Sequence, residues 1–517
     1  MFGEIFKRLT KTSDLNSLSL VSKRIYTVEG ELRDAIYVGC GVHPAKVPLA
    51  SLCSRFPNLR KVEFNYSCWT PNHGMQLDNE GLRLFSSCCP LLTDLTLSSC
   101  SYVDDTGLGF LACFKKLMYL KLNALPAITS SGLLLVAIGC KNLSALHLDS
   151  CNKLSSAKWL EYLGRVGSLK ELVVKCCKQI SQFDLLKLGP GWMKLQKFEF
   201  QTNDWISVFD PRDPMFKKQE QYTYDFNCET LKDLTLSHIT TEHEIGLRYL
   251  LRKCKALENL SLHYVHGIKD NDMITLSRNS SNLRSISLRL TPQFNEGRVF
   301  RTSLTDDSLK ALALSCPMLR SFELIFLACD EYYPEIGFTQ EGLVTLIQSC
   351  PIRDFVLSGA HIFDDDGMKA LSCAKFLETL ELMHIIHITD AGMRFLAHTP
   401  RLINLILRQC DGFSDDGVDE ELVEEEDSLA SPPQHRRPPL WRLASAKDLI
   451  VAVDSAGDLA TVYEHGHAEL APSMPGRSAL ESQFVERLME RRRWREAPLM
   501  VAALCTRGTR DTVRHRK

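Results

Sequence analysis

Carboxylates and imidazoles are the first side chains to ask about chemistry, and they gather at only a few places in this chain. Asp364-Asp365-Asp366 and Asp104-Asp105 set acids side by side, as a general acid/base pair or a cation site requires. His384 and His387 stand three residues apart. Each group has a plainer explanation. Both acidic runs fall where a helix begins, and there capping and the helix dipole account for them. The two histidines lie on either side of a turn, too isolated for a metal triad. The chain holds no GxxxxGK[ST], no G-x-S-x-G and no HExxH. These residues predict no enzyme, no metal and no cofactor, so function has to come from the elements that hold the side chains in place.

Those elements repeat. Leu377–Ala397 reads LETLELMHIIHITDAGMRFLA, an L-x-x-L-x-L strand, a turn, and a helix that opens at Ile388-Thr389-Asp390. The strand frame recurs from Leu92, Leu117, Leu143, Leu169, Leu195, Leu231, Leu257, Leu283, Leu319, Ile352 and Leu402, with a weaker copy from Leu59. Most steps are 25 or 26 residues, as from Leu377 to Leu402 and from Leu117 to Leu143. A fixed period in that range predicts an α/β leucine-rich-repeat solenoid over 59–418, parallel strands on the concave face and helices on the convex face. One unit cannot stand alone. Ordering about 26 residues costs roughly 40 kcal/mol, which takes on the order of 1,600 Å² of apolar burial to offset, and only stacked neighbours supply that. Thr389, Asp104, Ser130, Asp364, Asp306 and Thr339 are the expected helix caps.

Composition narrows the partners. A net charge of −2 gives no global field for nucleic acid or an anionic membrane. No apolar run is long enough to span a bilayer, and MFGEIFKRL is too short and mixed for a signal peptide. The 19 cysteines follow the repeat: Cys100, Cys151, Cys176 and Cys410 come after strands, and Cys89, Cys140, Cys254, Cys316 and Cys350 come before them. That placement predicts buried thiols, not a disulfide or zinc framework, and hence a reducing compartment, cytoplasm or nucleus or both.

Residues 1–30 are not a repeat. Ile5, Phe6 and Leu9 mark one helical stripe, and Leu15, Leu18, Val21 and Ile25 a second, capped by Ser13 or Asp14. Such a pair can close the end of a solenoid. It also resembles an F-box, through Glu4-Ile5-Phe6-Lys7-Arg8-Leu9, Asp14-Leu15 and Leu20-Val21-Ser22-Lys23-Arg24-Ile25-Tyr26. The repeats resemble the cysteine-containing class that accompanies the F-box, through Leu405–Cys410 and Ile388–Met393. Together, residues 1–418 are similar to plant-type F-box/leucine-rich-repeat proteins, a group that includes the auxin and jasmonate receptors. Family F-boxes open with Leu-Pro, whereas this chain starts at Met1-Phe2, so the segment reads as a shortened F-box. The resemblance implies the substrate-recognition subunit of a Skp–cullin–F-box ubiquitin ligase, a non-catalytic adaptor. Ile5, Phe6, Leu9, Leu15 and Val21 would meet the Skp adaptor, and through it a cullin. The alternatives are an interaction scaffold, or a small-molecule-dependent receptor without functional ligase docking.

Residues 31–58 are expected to be a transition. Four steps in the repeat are long, and such insertions mark loops on one face, often the binding face. Their aromatic and arginine content suits a protein partner: Trp205, Phe209, Phe216, Tyr222 and Tyr224 in one, Phe294 and Arg298 in another, Tyr332 and Tyr333 in a third. Strand positions between the leucines face the concave side. They are mixed in sign, with an apolar patch near Val356, Met383 and Ile406, and offer His263, Arg289 and Arg408 as partner contacts. Their lysines and arginines are spread along the arc, so a target protein fits this surface better than a polyanion. After Glu420 the phase is lost. Residues 419–445 read as an acidic, then proline- and arginine-rich linker, and 446–517 as an atypical, partly disordered arginine-rich tail that leaves the last repeat uncapped.

Overall fold

Leucines at the first, fourth and sixth places of each frame put two inward side chains on a short strand and a third just ahead of it. The computed structural model describes residues 12–39, 46–67, 76–202, 228–239, 247–291, 294–295, 298–299, 302–326, 336–410, 412 and 448–452. All of them fall in one compact unit, Met1–Glu464. The strands are β1 (Ala35–Val38), β2 (Lys61–Asn65), β3 (Asp94–Ser98), β4 (Tyr119–Asn123), β5 (Ala145–Asp149), β6 (Glu171–Lys175), β7 (Lys197–Gln201), β8 (Asp233–Ser237) and β9 (Asn259–His263). They continue as β10 (Ser285–Leu290), β11 (Phe294–Asn295), β12 (Arg298–Val299), β13 (Ser321–Phe326), β14 (Asp354–Ser358), β15 (Thr379–Met383), β16 (Asn404–Arg408) and β17 (Asp448–Ala452). Except for the β11/β12 hairpin, they form one sheet in chain order. The strands from β1 to β16 in that sheet are parallel and in register, so Leu95, Leu120, Leu146 and Leu172 stack one upon the next. These leucines, with the inward faces of the helices, make one continuous core.

Two expectations shift. The stretch 31–58 carries β1 and a helix, Lys46–Arg55, so the sheet begins at Ala35, two dozen residues before the first leucine frame. Ile36 and Val38 occupy the inward places there without the leucine signature. At the far end, Asp448–Ala452 adds the sheet's single antiparallel strand, covering the edge of β16 that the sequence leaves open. The rest of 413–517 lies outside the described residues.

The corner after each strand is the part no sequence pattern announces. Ser99, Ala124, Ser150, Cys176, His238, Tyr264, His384 and Gln409 all have φ between 51° and 56°, the left-handed region that side chains disfavour. Among the described corners only one uses the residue best suited to it, Gly359 at 67°. At most of these corners the N–H donates to the last strand carbonyl of the next repeat, as from Ser99 to Asn123, Ala124 to Asp149, Ser150 to Lys175 and His384 to Arg408. Tyr66 and Thr202 make the same bond to Ser98 and Ser237 without a positive φ, so the left-handed backbone sets the direction in which the chain leaves the strand. The chain then turns inward and buries Cys100, Cys151 and Cys410. At the doubled cysteine, Cys177 takes the buried place and Cys176 the corner, which corrects the assignment by phase.

A second series of bonds ties the helix starts together. The caps are Thr389, Asp104, Asp364 and Thr339 as expected, but Thr129 and Thr305 replace Ser130 and Asp306, which stand one place later. That later place has its own task, to reach forward to the next repeat. Asp105 accepts from the Thr129 N–H at 2.7 Å, Asp306 from Thr339 at 2.8 Å and Asp365 from Thr389 at 2.7 Å. Each carboxylate also accepts from the threonine hydroxyl. The glycine of the I-T-D-x-G signature makes room for it: a Cβ on Gly392 would stand 2.2 Å from Asp365 Oδ1. The paired acids are staples between repeats, not a catalytic dyad. Asp365→Ala should therefore lower stability by about 1–3 kcal/mol in urea unfolding, whereas exposed Asp366→Ala should change it by about 0.5 kcal/mol or less.

Candidate functional site

Parallel register brings the outward strand residues into rows across the concave face, and the charges in those rows pair with one another. His147 Nε2 lies 2.9 Å from Glu171 Oε1, and Lys197 Nζ reaches the same carboxylate at 2.6 Å. Tyr119 Oη meets the other imidazole nitrogen at 3.1 Å. Lys175 bridges to Glu199 at 2.8 Å. The three expected partner contacts are engaged in the same way. Arg289 holds Glu323 at 2.8 Å, Arg408 lies 3.8 Å from Glu381, and His263 Nε2 is 2.9 Å from Ser287 Oγ. All three are half-buried, so a partner must exchange these bonds for its own. Of the expected apolar patch, Met383 and Ile406 are only 7% and 6% exposed, which leaves Val356 as its more open member.

The insertions leave from one edge. A regular repeat quits β3 at Ser98 and enters its helix at Asp105, whereas long repeats quit at Asn65, Leu290 and Phe326 and enter at Asn79, Asp306 and Gln340. Tyr66, Thr202 and Thr291, which follow the strands at three of the long steps, lack the left-handed corner. Trp205, Phe209, Phe216, Tyr222, Tyr224, Tyr332 and Tyr333 lie outside the described residues. Phe294 and Arg298 sit on the β11/β12 hairpin that rises from the third long step.

At the other end of the chain, the second helical stripe is broken in two. Thr12–Ser19 and Lys23–Leu32 are separate helices, and the Ser22 hydroxyl caps the second by accepting from the Ile25 N–H. The break leaves Leu20 84% and Val21 68% exposed on the elbow, while Leu15 is half-buried. Ile5, Phe6 and Leu9 lie outside the described residues. Sequence reasoning missed Leu20 by treating the stripe as continuous, although Ser22 before a helical run is a cap signal. The elbow is fastened to the first repeat. Glu29, 1% exposed, takes Arg55 at 2.9 Å and Arg33 beside it, and the Arg55 guanidinium lies 3.9 Å over the Tyr26 ring.

No family model matches the chain. GRR1-like protein 1 of Arabidopsis thaliana is 23% identical over 385 residues, covering 68% of this chain and 62% of its own length. F-box/LRR-repeat protein 4 of Bos taurus is 24% identical over 251 residues, 47% of this chain and 37% of its own length. The relatives of this chain are thus F-box/leucine-rich-repeat proteins. The chain spans less than two thirds of the length of the two named. Among solved structures, yeast Rad7 in its complex with Elc1 is 16% identical, with a TM-score of 0.46, over 79% of this chain and 92% of that one.

The helical elbow and the concave face are the surfaces that the described residues offer to a partner. Among the described residues, no group of three His, Cys, Asp or Glu side chains could hold a metal ion, and no helix is long and apolar enough to cross a membrane. All described cysteines are free thiols, and burial pushes Cys100, Cys140 and Cys316 up to about 12, far from a reactive thiolate.

Charge is sorted between the two edges. Acids fill the first turns of the helices, as Asp105, Asp270, Asp306, Asp365 and Asp390 do. On the opposite edge lie the described turns that run from helix into β2–β10 and β13–β16. Their bases are Arg60, Lys115, Lys116, Lys141, Lys170, Lys194, Lys232, Lys255, Arg284, Arg320, Arg353, Lys375 and Arg401, and their acids are Glu229, Glu258 and Glu378. Both placements oppose the helix dipoles, and Lys115 and Lys194 donate directly to the carbonyls of Ala112 and Gly167.

The mid-face histidines make the fold sensitive to acid. Burial, with Arg289, His238 and Lys175 nearby, lowers His263 to about 3; burial and His266 lower His238 to about 4. A histidine whose folded value is depressed takes up its proton more readily when unfolded, so its stability is intact above about pH 6.5 and lost as pH falls toward the folded value. Urea midpoints should drop steadily from pH 7 to pH 4, and His263→Gln should flatten that slope. The His263 ring signals in NMR should show no inflection between pH 7.5 and pH 5.

Proposed function

We propose that this protein is the substrate-recognition subunit of a Skp–cullin–F-box ubiquitin ligase. The observation that carries the reading is the elbow: two neighbouring apolar side chains, Leu20 and Val21, stand in water on a helical pair locked to the first repeat. Large exposed aliphatic side chains on a rigid helical corner suit a partner's hydrophobic groove. The kinship with F-box/leucine-rich-repeat proteins supports the Skp adaptor as that partner, with a cullin beyond it. The repeats then hold a client protein on the concave face and against the insertions, and the reaction itself is catalysed elsewhere in the assembly. Because Glu29 fastens the elbow to the solenoid, a client held by the repeats would sit at a set distance from the adaptor. The free thiols suit work in the cytoplasm or nucleus.

Pull-down of purified Skp adaptor tests this. Leu20→Asp and Val21→Asp should each weaken capture at least tenfold with no change in melting temperature, since neither side chain is buried. Glu29→Gln should instead lower stability, because it leaves Arg33 and Arg55 without their buried anion. Undiminished capture by the Leu20→Asp/Val21→Asp double variant would overturn the assignment.

A further inference from the structure

The basic edge is wider than helix termini require, and one part of it stands apart. The residues just before each strand are joined by a ladder of backbone hydrogen bonds, Arg320 N to Arg284 O at 2.8 Å and Arg353 N to Arg320 O at 2.7 Å. Three arginines therefore occupy consecutive rungs. With strands about 4.8 Å apart, the row spans about 10 Å. Its two ends are fenced by acids: Arg284 lies 3.5 Å from Glu258, and Arg353 lies 3.0 Å from Glu378. Arg320, between them, is exposed and pairs with no described carboxylate. The next outward residues on the same strands are Ser285, Ser321 and Asp354, so the row opens directly onto the concave face. Asp354 and Glu378 disfavour an anion at the Arg353 end, while Ser285 and Ser321 add hydroxyl donors at the other.

We propose that Arg284 and Arg320 form a docking site for an acidic segment of a partner protein, two or more adjacent Asp or Glu side chains on an extended strand that leads onto the concave face. A guanidinium takes a carboxylate through two parallel hydrogen bonds. The three-rung row matches the length of a few adjacent carboxylates, with Arg320 as its unpaired centre among the described carboxylates. The inference concerns the repeats alone and stands whether or not the elbow docks to an adaptor.

The test uses the full chain and a fluorescein-labelled hexaglutamate peptide followed by polarisation at low salt. Binding should weaken at least tenfold in Arg320→Glu and to a lesser degree in Arg320→Gln. It should be unchanged in Arg60→Glu, which alters the same kind of rung at the far end of the sheet. Equal losses in Arg320→Glu and Arg60→Glu, or no binding by the wild-type chain, would overturn the site. So would hexathymidylate binding as tightly as the peptide with the same dependence on Arg320, since the row would then read any polyanion. Melting temperatures within a degree of wild type confirm that these exposed substitutions leave the fold intact.

Discussion

Most strand ends among the described residues take a hydrogen-bond partner from the next repeat, and that dependence governs the rest. The corner N–H of one repeat finds its carbonyl one rung along, and most corners also carry a left-handed backbone, in residues as bulky as His238 and Tyr264. Such a conformation costs of order 1–3 kcal/mol for a side-chain-bearing residue. It persists because an unturned chain would leave unburied the cysteine or aliphatic side chain that follows, such as Cys100, Leu125 or Ile385. The carboxylate staples obey the same logic on the helix side, since Asp105, Asp306 and Asp365 satisfy donors that belong to the following unit. Stability here is in large part a property of neighbours.

That explains which features were legible in the chain and which were not. Burial has a period, so L-x-x-L-x-L located β3 to β10 and β13 to β16 closely. Corners have no compositional mark: serine, alanine, cysteine, histidine, tyrosine and glutamine all serve. The caps at Thr129 and Thr305 were displaced by one residue because Ser130 and Asp306 are equally good capping types. Only the contact to the next repeat separates the two roles. The first strand escaped notice because Ile36 needs to fill only one side of a layer, and β17 because an edge strand pairs through its backbone and requires no leucine period. For the candidate contacts on the strands, mutual pairing has no mark in the sequence, since Arg289 and Glu323 are 34 residues apart in sequence and adjacent only in register.

The insertions differ at the corner as well. At three of the long steps the residues that follow the strand, Tyr66, Thr202 and Thr291, do not adopt the left-handed turn of the regular repeats. All such loops leave from strand C-terminal ends. The edge with the acidic helix starts thus acquires elaboration, while the edge of short helix-to-strand turns stays plain and basic.

This asymmetry bears on how a client could be held. Helices that all point the same way leave partial positive charge on one edge and partial negative charge on the other. Acids on the first and bases on the second offset this, but the compensation is uneven. At Lys115 and Lys194 the side chain bends back onto helix carbonyls and is occupied by them. At the rung before the strand, Arg284 and Arg353 instead take a carboxylate from the adjacent rung. Glu258 and Glu378 supply one to each outer arginine, and no described carboxylate does the same for Arg320. A stacked array with one residue per rung has no other way to balance three successive cations, so the excess charge has to face outward, at the lip of the surface on which a client would lie.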